Sequence, residues 1–168
     1  MKTIFFVRHS KAIEHLTSID DFDRPLVDKG IKNAHLMGKL LSEQHQKPQL
    51  VISSPAIRAM HTAIIMSKEL NYPYSKIILE EKLYESSVDN YFEVIKKTSD
   101  TIQNIFLFAH NPTITEVSNL LTDASIGIDA IPTSGVVGVR FDINTWQKID
   151  TTKGTLILFD FPKKHGDS

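Results

Sequence analysis

Three short apolar segments restrict the fold of this 168-residue chain more than any other feature. They span residues 3–7, 50–53 and 104–109, and polar or charged side chains follow each of them directly. Runs of this length that are rich in β-branched and aromatic residues are typical of strands buried in a parallel sheet. The chain is therefore predicted to have such strands at its centre.

Helical patterns separate these strands. Apolar side chains recur every three or four positions in three stretches, at residues 28–44, 88–95 and 114–121. A further helix is predicted to begin at Ser54-Pro55 and to run to about Leu70, with the Ser54 hydroxyl as its cap and Pro55 at its first position. Asn111-Pro112 opens the last helix in the same way.

The remaining apolar segments add an antiparallel edge. Residues 76–79 predict a short strand, while residues 135–142 and 154–161 predict two strands joined by a hairpin connection. This order of elements defines an α/β protein. A single domain is expected over residues 1–162, followed by an unanchored tail at residues 163–168.

Composition and charge exclude several classes of function. The formal net charge is -1, so no global basic field is available for nucleic acid or for an anionic membrane. The chain has no cysteine, which excludes disulfides, thiolate metal sites and a cysteine-based phosphatase mechanism. The first apolar run is too short for a signal peptide or a membrane span, so a cytoplasmic protein is expected.

Charged side chains stand where the buried strands end. Open parallel sheets bind ligands beyond the carboxyl ends of their strands, and His9, Arg58 and His110 are all expected at that edge. With Arg8, they supply two guanidinium groups and two imidazoles, which suit a tetrahedral dianion. A metal site is disfavoured because adjacent arginines repel a cation, and the chain contains no P-loop motif.

Five segments occur in an order that resembles a known family: VRHSKA, RPLVDKGIKNA, VISSPAIRAMHTA, KLYES and FAHNP. Together they resemble the histidine phosphatase superfamily, and in particular its small SixA-like phosphohistidine phosphatases. The resemblance covers almost the whole chain. It implies a three-layer α/β/α sandwich with a mixed, mostly parallel sheet, as in phosphoglycerate mutase, and a hydrolase that uses neither metal nor cofactor.

The resemblance also implies a role for each of the four side chains. His9 is the nucleophile that takes the phosphoryl group, Arg8 and Arg58 bind its oxygens, and His110 helps to hold the transferring group. Elementary chemistry agrees, because a neutral imidazole whose other nitrogen is hydrogen-bonded is a good nucleophile near pH 7. The surrounding positive charge stabilises the oxygens of a loose phosphoryl-transfer transition state.

The resemblance leaves the roles of two residues, Ser10 and Glu81, open. The family has glycine after the nucleophile, whereas this chain has Ser10, which costs on the order of 1 kcal/mol if the backbone needs a positive φ. Either the backbone is ordinary there, or Ser10 contributes its hydroxyl or N–H to phosphate. Glu81 matches the carboxylic acid of larger family members, with Glu80 and Glu85 beside it, and is either a general acid or an exposed loop carboxylate.

The other polar residues near the motifs are interpreted as structural. Arg24 either orients the loop after the first strand or borders the site, with the first role favoured. Lys11 is expected to be an exposed lysine that could steer anions, and Ser53 to shape the end of a strand. The remaining histidines are interpreted as surface or supporting residues, namely His15, His35, His45, His61 and His165.

The implied function is removal of a phosphoryl group from phosphohistidine on a signalling protein, such as a histidine phosphotransfer domain. The stretches between the motifs hold only enough residues for core elements, so no sizeable lid is expected over the pocket. One alternative is a phosphatase for small phosphomonoesters, which would depend more on Glu81. Another is a catalytically silent phosphate-binding module, supported only by Ser10.

Overall fold

A computed structural model describes residues 1–16, 18–123 and 127–166 of the chain. In chain order, the strands are β1 (Lys2–Arg8), β2 (Leu50–Ser53), β3 (Ile78–Leu79), β4 (Asn104–Ala109), β5 (Val136–Phe141) and β6 (Thr155–Asp160). The helices are α1 (Asp28–Glu43), α2 (Ile57–Glu69), α3 (Val88–Lys96) and α4 (Thr113–Leu121). Short 3-10 turns occur at Asp21–Asp23, Tyr74–Lys76, Glu81–Leu83, Trp146–Lys148 and Pro162–His165.

The described strands form one mixed sheet in the order β3-β2-β4-β1-β5-β6. The first four strands of this order are parallel to one another, whereas β5 and β6 are antiparallel to their neighbours. The predicted mixed, mostly parallel sheet with an antiparallel edge is confirmed. Strands β1 and β4 are paired at its centre, and Arg8 lies opposite Ala109.

Helices cover both faces of the sheet, because alternate residues of a strand point to opposite faces. On one face, Phe5 and Val7 of β1 pack in a core cluster with residues of α1 and α2. On the other face, Ile4 and Phe6 pack in a cluster with residues of α3 and α4. These two apolar cores confirm the expected three-layer α/β/α sandwich.

The predicted starts of two helices are wrong by one or two residues. Helix α2 begins at Ile57, and Ala56 before it is still extended, with φ -55° and ψ 138°. The Ser54 hydroxyl accepts a 3.3 Å hydrogen bond from the Ala56 N–H but makes no cap, since its other contact is with His110. Helix α4 begins at Thr113, so Pro112 also precedes the first helical residue.

The end of the chain is attached to the sandwich as far as it is described. Pro162 is buried, and His165 Nε2 lies 2.8 Å from a carboxylate oxygen of Asp160. The 3-10 turn Pro162–His165 contacts β6 through His165 and through Lys164 Nζ, which donates to the Phe159 carbonyl oxygen at 2.7 Å, and the domain boundary expected after residue 162 stays a prediction. Residues 167–168 lie outside the described part of the chain. None of the described helices is long and apolar enough to span a membrane.

Candidate active site

The register of the sheet places two histidines side by side. Because β1 and β4 are parallel and Arg8 lies opposite Ala109, the next residues, His9 and His110, leave the same edge of the sheet. The centroids of their rings lie 5.2 Å apart. A pocket of about 290 Å³ opens here, lined by Arg8, His9, Lys11, Ala12, Arg24, Arg58, His110, Asn111 and Thr133. The structure thus brings together the four residues that the sequence predicts to act in one site.

His9 is held in one tautomer by the backbone. Its Nδ1 lies 2.8 Å from the carbonyl oxygen of Ser10, and a carbonyl oxygen can only accept, so Nδ1 carries the proton. Burial, together with the nearby His110 and arginines, lowers the pKa of His9 to about 3, although the bond to Ser10 opposes this shift. At neutral pH the ring is therefore uncharged, and Nε2 keeps the lone pair that a nucleophile needs.

Two guanidinium groups line the pocket with the histidines, that of buried Arg58 and that of half-buried Arg8. Arg8 donates from Nη1 to the carbonyl oxygen of Ile131 at 3.0 Å, and Arg58 donates from Nη1 and Nη2 to the carbonyl oxygen and carboxylate of Asp21 at 2.6 and 3.0 Å. The Nε atoms of both arginines are buried without a partner among the described residues. Each guanidinium carries five N–H donors, and these contacts use one donor of Arg8 and two of Arg58, so each arginine keeps further donors for an anion.

Asp21 organises this cationic side of the pocket. Its Oδ1 accepts a 3.0 Å hydrogen bond from Arg24 Nε, and its Oδ2 accepts bonds from Arg58 and from the Tyr84 hydroxyl, the latter at 2.8 Å. Partial burial raises the pKa of Asp21, but the bond from Tyr84 and the charge of Arg58 outweigh it and lower the pKa to about 2. Sequence reasoning missed Asp21, and its only signal is an acidic run beside Arg24.

Arg24 and Lys11 both reach the pocket. Arg24 also donates from Nη1 to the carbonyl oxygen of Ile13 at 2.5 Å, which orients the loop after β1. Its side chain lines the pocket as well, so it combines the two roles that the sequence analysis left open. Lys11 is an exposed residue on the wall of the same pocket.

Ser10 lies beneath the pocket with an ordinary backbone. Its φ is not positive, its N–H donates to Thr62 Oγ1 at 2.9 Å, and its Oγ lies 2.5 Å from Ser134 Oγ. The structure therefore does not bring a free donor of Ser10 to the pocket. The left-handed conformation occurs instead at Ser134, with φ 62°, whose N–H donates to the carbonyl oxygen of His9 at 3.1 Å.

Glu81 does not reach the site. It begins the short 3-10 turn before α3, and its side chain is exposed. Among the described residues that line the pocket, none is an aspartate or a glutamate. The neighbouring Glu80 is engaged elsewhere, in an ion pair with Lys97 at 2.5 Å.

His110 lines the pocket beside His9. Its Nε2 lies 2.7 Å from Ser54 Oγ, and its Nδ1 is buried without a partner among the described residues. Tyr84 packs edge-on against the ring at a centroid distance of 5.7 Å. Burial is the main cause that lowers the pKa of His110 to about 3, and the charge of Arg58 adds to it, so this ring is also neutral at pH 7.

The arrangement defines a class of site. A neutral imidazole with a free lone pair, a second imidazole and two guanidinium groups surround one small pocket, and together they suit nucleophilic attack on a bound tetrahedral oxyanion. This combination is suited to chemistry on a phosphoryl group.

Comparisons with known proteins agree with this class. The family model of the histidine phosphatase superfamily (branch 1) matches residues 4–122, and the chain belongs to this superfamily. It is 29% identical over 152 residues to an uncharacterised protein of Mycobacterium leprae, a match that covers 86% of this chain and 91% of the relative. Family membership supports a hydrolase of the phosphatase type.

Solved structures share the fold at low sequence identity. The structure of the protein histidine phosphatase SixA complexed with tungstate has a TM-score of 0.82 at 22% identity, covering 97% of this chain and 99% of that chain. A mycobacterial glucosyl-3-phosphoglycerate phosphatase complexed with VO3 has a TM-score of 0.72 at 11% identity, covering 96% and 100%. Both comparisons confirm the α/β/α fold that the sequence resemblance implies.

Proposed function

We propose that this protein removes the phosphoryl group from phosphohistidine on a protein and that the reaction passes through a phosphorylated His9. The observation that carries the proposal is the bond between His9 Nδ1 and the Ser10 carbonyl oxygen, which leaves the Nε2 lone pair free beside two guanidinium groups. A lone pair next to an anion-binding surface is the arrangement that in-line attack on phosphorus requires.

The chemistry proceeds in two displacements. In the first, His9 Nε2 forms a bond to phosphorus while the bond between phosphorus and the substrate imidazole breaks, and the substrate ring, which carries a proton on its other nitrogen, leaves as neutral imidazole. In the second, water attacks the phosphorus of phospho-His9, which releases inorganic phosphate and restores the lone pair on Nε2. Arg8 and Arg58 bind the equatorial oxygens in both steps and supply the positive charge without a metal ion.

The pocket favours a substrate whose leaving group needs little acid catalysis. Its described lining contains no carboxylic acid, and Asp21 behind Arg58 has a pKa of about 2 and is ionised at neutral pH. An alkoxide must be protonated as it leaves, whereas imidazole has an unperturbed pKa of about 6.5 and departs more easily. This argues for phosphohistidine over a phosphomonoester.

The two structural neighbours described above differ in the kind of substrate that their names give. One is a protein histidine phosphatase and the other is a glucosyl-3-phosphoglycerate phosphatase. The described chain between β1 and β4 contains only the helices, strands and 3-10 turns of the sandwich, with no inserted domain. We therefore propose a cytoplasmic enzyme whose substrate is a protein, such as a histidine phosphotransfer domain, rather than a nucleic acid or a membrane component.

A side-by-side assay tests this proposal. The enzyme is offered a protein phosphorylated on histidine and a phosphoserine peptide at equal concentrations, and the release of inorganic phosphate is followed, with the His9→Ala variant as the blank. The proposal predicts rapid turnover of the phosphohistidine protein and slow turnover of the peptide. Preference for the serine ester would overturn the proposal that phosphohistidine is the substrate. Turnover of neither substrate would favour a catalytically silent phosphate-binding module.

A further inference from the structure

Ser54 stands at a position that local sequence does not explain. Its backbone N–H donates to the Phe108 carbonyl oxygen at 2.9 Å, so it extends the pairing of β2 with β4 by one residue. Its side chain is completely buried and lies 2.7 Å from His110 Nε2. Since it does not cap α2, its hydroxyl serves the histidine rather than the helix.

The hydrogen-bond inventory around this hydroxyl distinguishes the two neutral forms of His110. Ser54 Oγ has one proton and two lone pairs, and one lone pair accepts from the Ala56 N–H. Suppose that His110 Nε2 carried the ring proton and donated it to Ser54. The hydroxyl proton would then have no acceptor among the described residues, and His110 Nδ1 would be a second buried atom without a partner.

The opposite arrangement leaves a single group unpaired. When Ser54 donates its proton to Nε2, the ring proton moves to Nδ1, and only this Nδ1–H lacks a partner in the free protein. Buried polar groups without partners are costly, so the tautomer that leaves one such group is favoured over the tautomer that leaves two. Burial also lowers the pKa of His110, which disfavours the doubly protonated ring at neutral pH.

From this geometry we infer that Ser54 is a positioning residue, which selects the tautomer of His110 so that Nδ1 keeps a proton to donate to a phosphoryl oxygen in the pocket. The identity of the acceptor as a phosphoryl oxygen rests on the proposed function, whereas the tautomer of His110 does not. The other tautomer would turn a lone pair towards the substrate oxygens and repel them. Ser54 therefore acts through His110 and does not touch the substrate.

The test reads the tautomer directly in the free protein. Two-bond proton–nitrogen NMR spectra of the 15N-labelled chain distinguish protonated from unprotonated ring nitrogens, and the signals of His110 are those that disappear in the His110→Gln variant. We expect a protonated Nδ1 and an unprotonated Nε2 in the wild type, and a shift towards protonated Nε2 in Ser54→Ala. A wild-type ring protonated on Nε2 would overturn the inference, and so would an unchanged tautomer in Ser54→Ala.

Matched variants separate positioning from packing. Ser53→Ala removes the adjacent buried hydroxyl, which donates to the Ser54 carbonyl oxygen at 2.9 Å, and should leave the tautomer and kcat unchanged. With the phosphohistidine protein as substrate, Ser54→Ala should lower kcat about tenfold with little change in KM, and Ser54→Thr should restore it. Equal losses in Ser53→Ala and Ser54→Ala would show a packing effect only. The expected tautomer without any turnover would refute the proposed function and leave this inference intact.

Discussion

The two histidines of the site end neighbouring strands, yet they are held in different ways. At the end of β1, His9 Nδ1 is bound by a backbone carbonyl oxygen, which can only accept and which no substitution at residue 10 removes. At the end of β4, His110 Nε2 is bound by the side chain of Ser54, which can donate. The first histidine keeps its lone pair on Nε2, whereas the tautomer inferred for the second places its proton on Nδ1, which is buried and unpartnered among the described residues. The comparison teaches that one scaffold can assign the roles of nucleophile and donor through the atoms behind each ring.

Replacing His9 is expected to have the largest effect. The His9→Ala variant has no nucleophile, so turnover of a phosphohistidine protein should fall by about 10⁴-fold or more. The measurement is the steady-state release of phosphate. His35→Ala is the matched control, because His35 is an exposed histidine paired with Glu69 at 2.8 Å on the helical layer, and it should retain full activity. Substantial turnover by His9→Ala would contradict the assignment of the nucleophile.

Replacing His110 should be less severe and should leave a different signature. In His110→Gln the donor is displaced but the nucleophile remains, so kcat should fall by about 10²–10³-fold. Rapid-quench measurements should still detect a phosphoenzyme, which forms more slowly than in the wild type. If His110→Gln abolished the phosphoenzyme while His9→Ala retained it, the roles of the two histidines would be reversed.

Both histidines should make the fold sensitive to acid. Their pKa values are lowered to about 3 in the folded protein, whereas in the unfolded chain they are near 6.5. Between these values the unfolded chain binds more protons, so the free energy of unfolding decreases as the pH falls below 6.5, by at most about 1.4 kcal/mol per pH unit for each histidine.

Denaturant titrations between pH 4 and 6.5 measure this dependence, and the difference between proteins isolates the histidines from other groups. The slope of stability against pH should be shallower in His110→Gln than in the wild type. An equal slope in the two proteins would contradict a lowered pKa of His110 in the folded protein. A titration of His110 near pH 6.5 in the folded protein, followed by NMR, would contradict it as well.

The sequence predicts the strands better than it predicts the contacts between them. The apolar run of residues 50–53 matches β2, because a buried strand bounded by polar residues can be recognised from a short stretch of sequence. The predicted start of α2 is wrong because Ala56 is still extended, and the Ser54 hydroxyl, which is expected from the sequence to cap this helix, has a partner 56 residues away. The question about Ser10 is answered in the same way, by contacts with Thr62 and Ser134 at separations of 52 and 124 residues. A short stretch of sequence does not predict hydrogen-bond partners at such separations.

Substitution of Ser10 should affect stability more than catalysis. Ser10→Ala removes its contact with Ser134 and leaves a buried hydroxyl unpaired, which should cost about 1–3 kcal/mol in the free energy of unfolding. The Ser10 carbonyl oxygen still accepts from His9 Nδ1, so kcat should change only a few-fold. Chemical denaturation and steady-state kinetics check the two quantities. A large rise in KM at unchanged stability would show that the Ser10 hydroxyl binds the phosphoryl group directly.

The smallest effect is expected at Glu81. Because its side chain is exposed and outside the pocket, Glu81→Gln should leave kcat and KM within about twofold of the wild type for the phosphohistidine protein. Asp21→Asn is the informative comparison, since this change weakens the bonds to Arg58 and Arg24 and should lower kcat/KM. A loss of tenfold or more in Glu81→Gln with a phosphoserine peptide would restore Glu81 as a general acid.

The most direct test of the account is to locate the phosphoryl group on the protein itself. The enzyme is mixed with a phosphohistidine protein, quenched in alkali within milliseconds, and analysed by mass spectrometry of its peptides and by 31P NMR. The account predicts an acid-labile, base-stable phosphoryl group on Nε2 of His9. A phosphoryl group on His110, on Nδ1 of His9, or on a serine would contradict it.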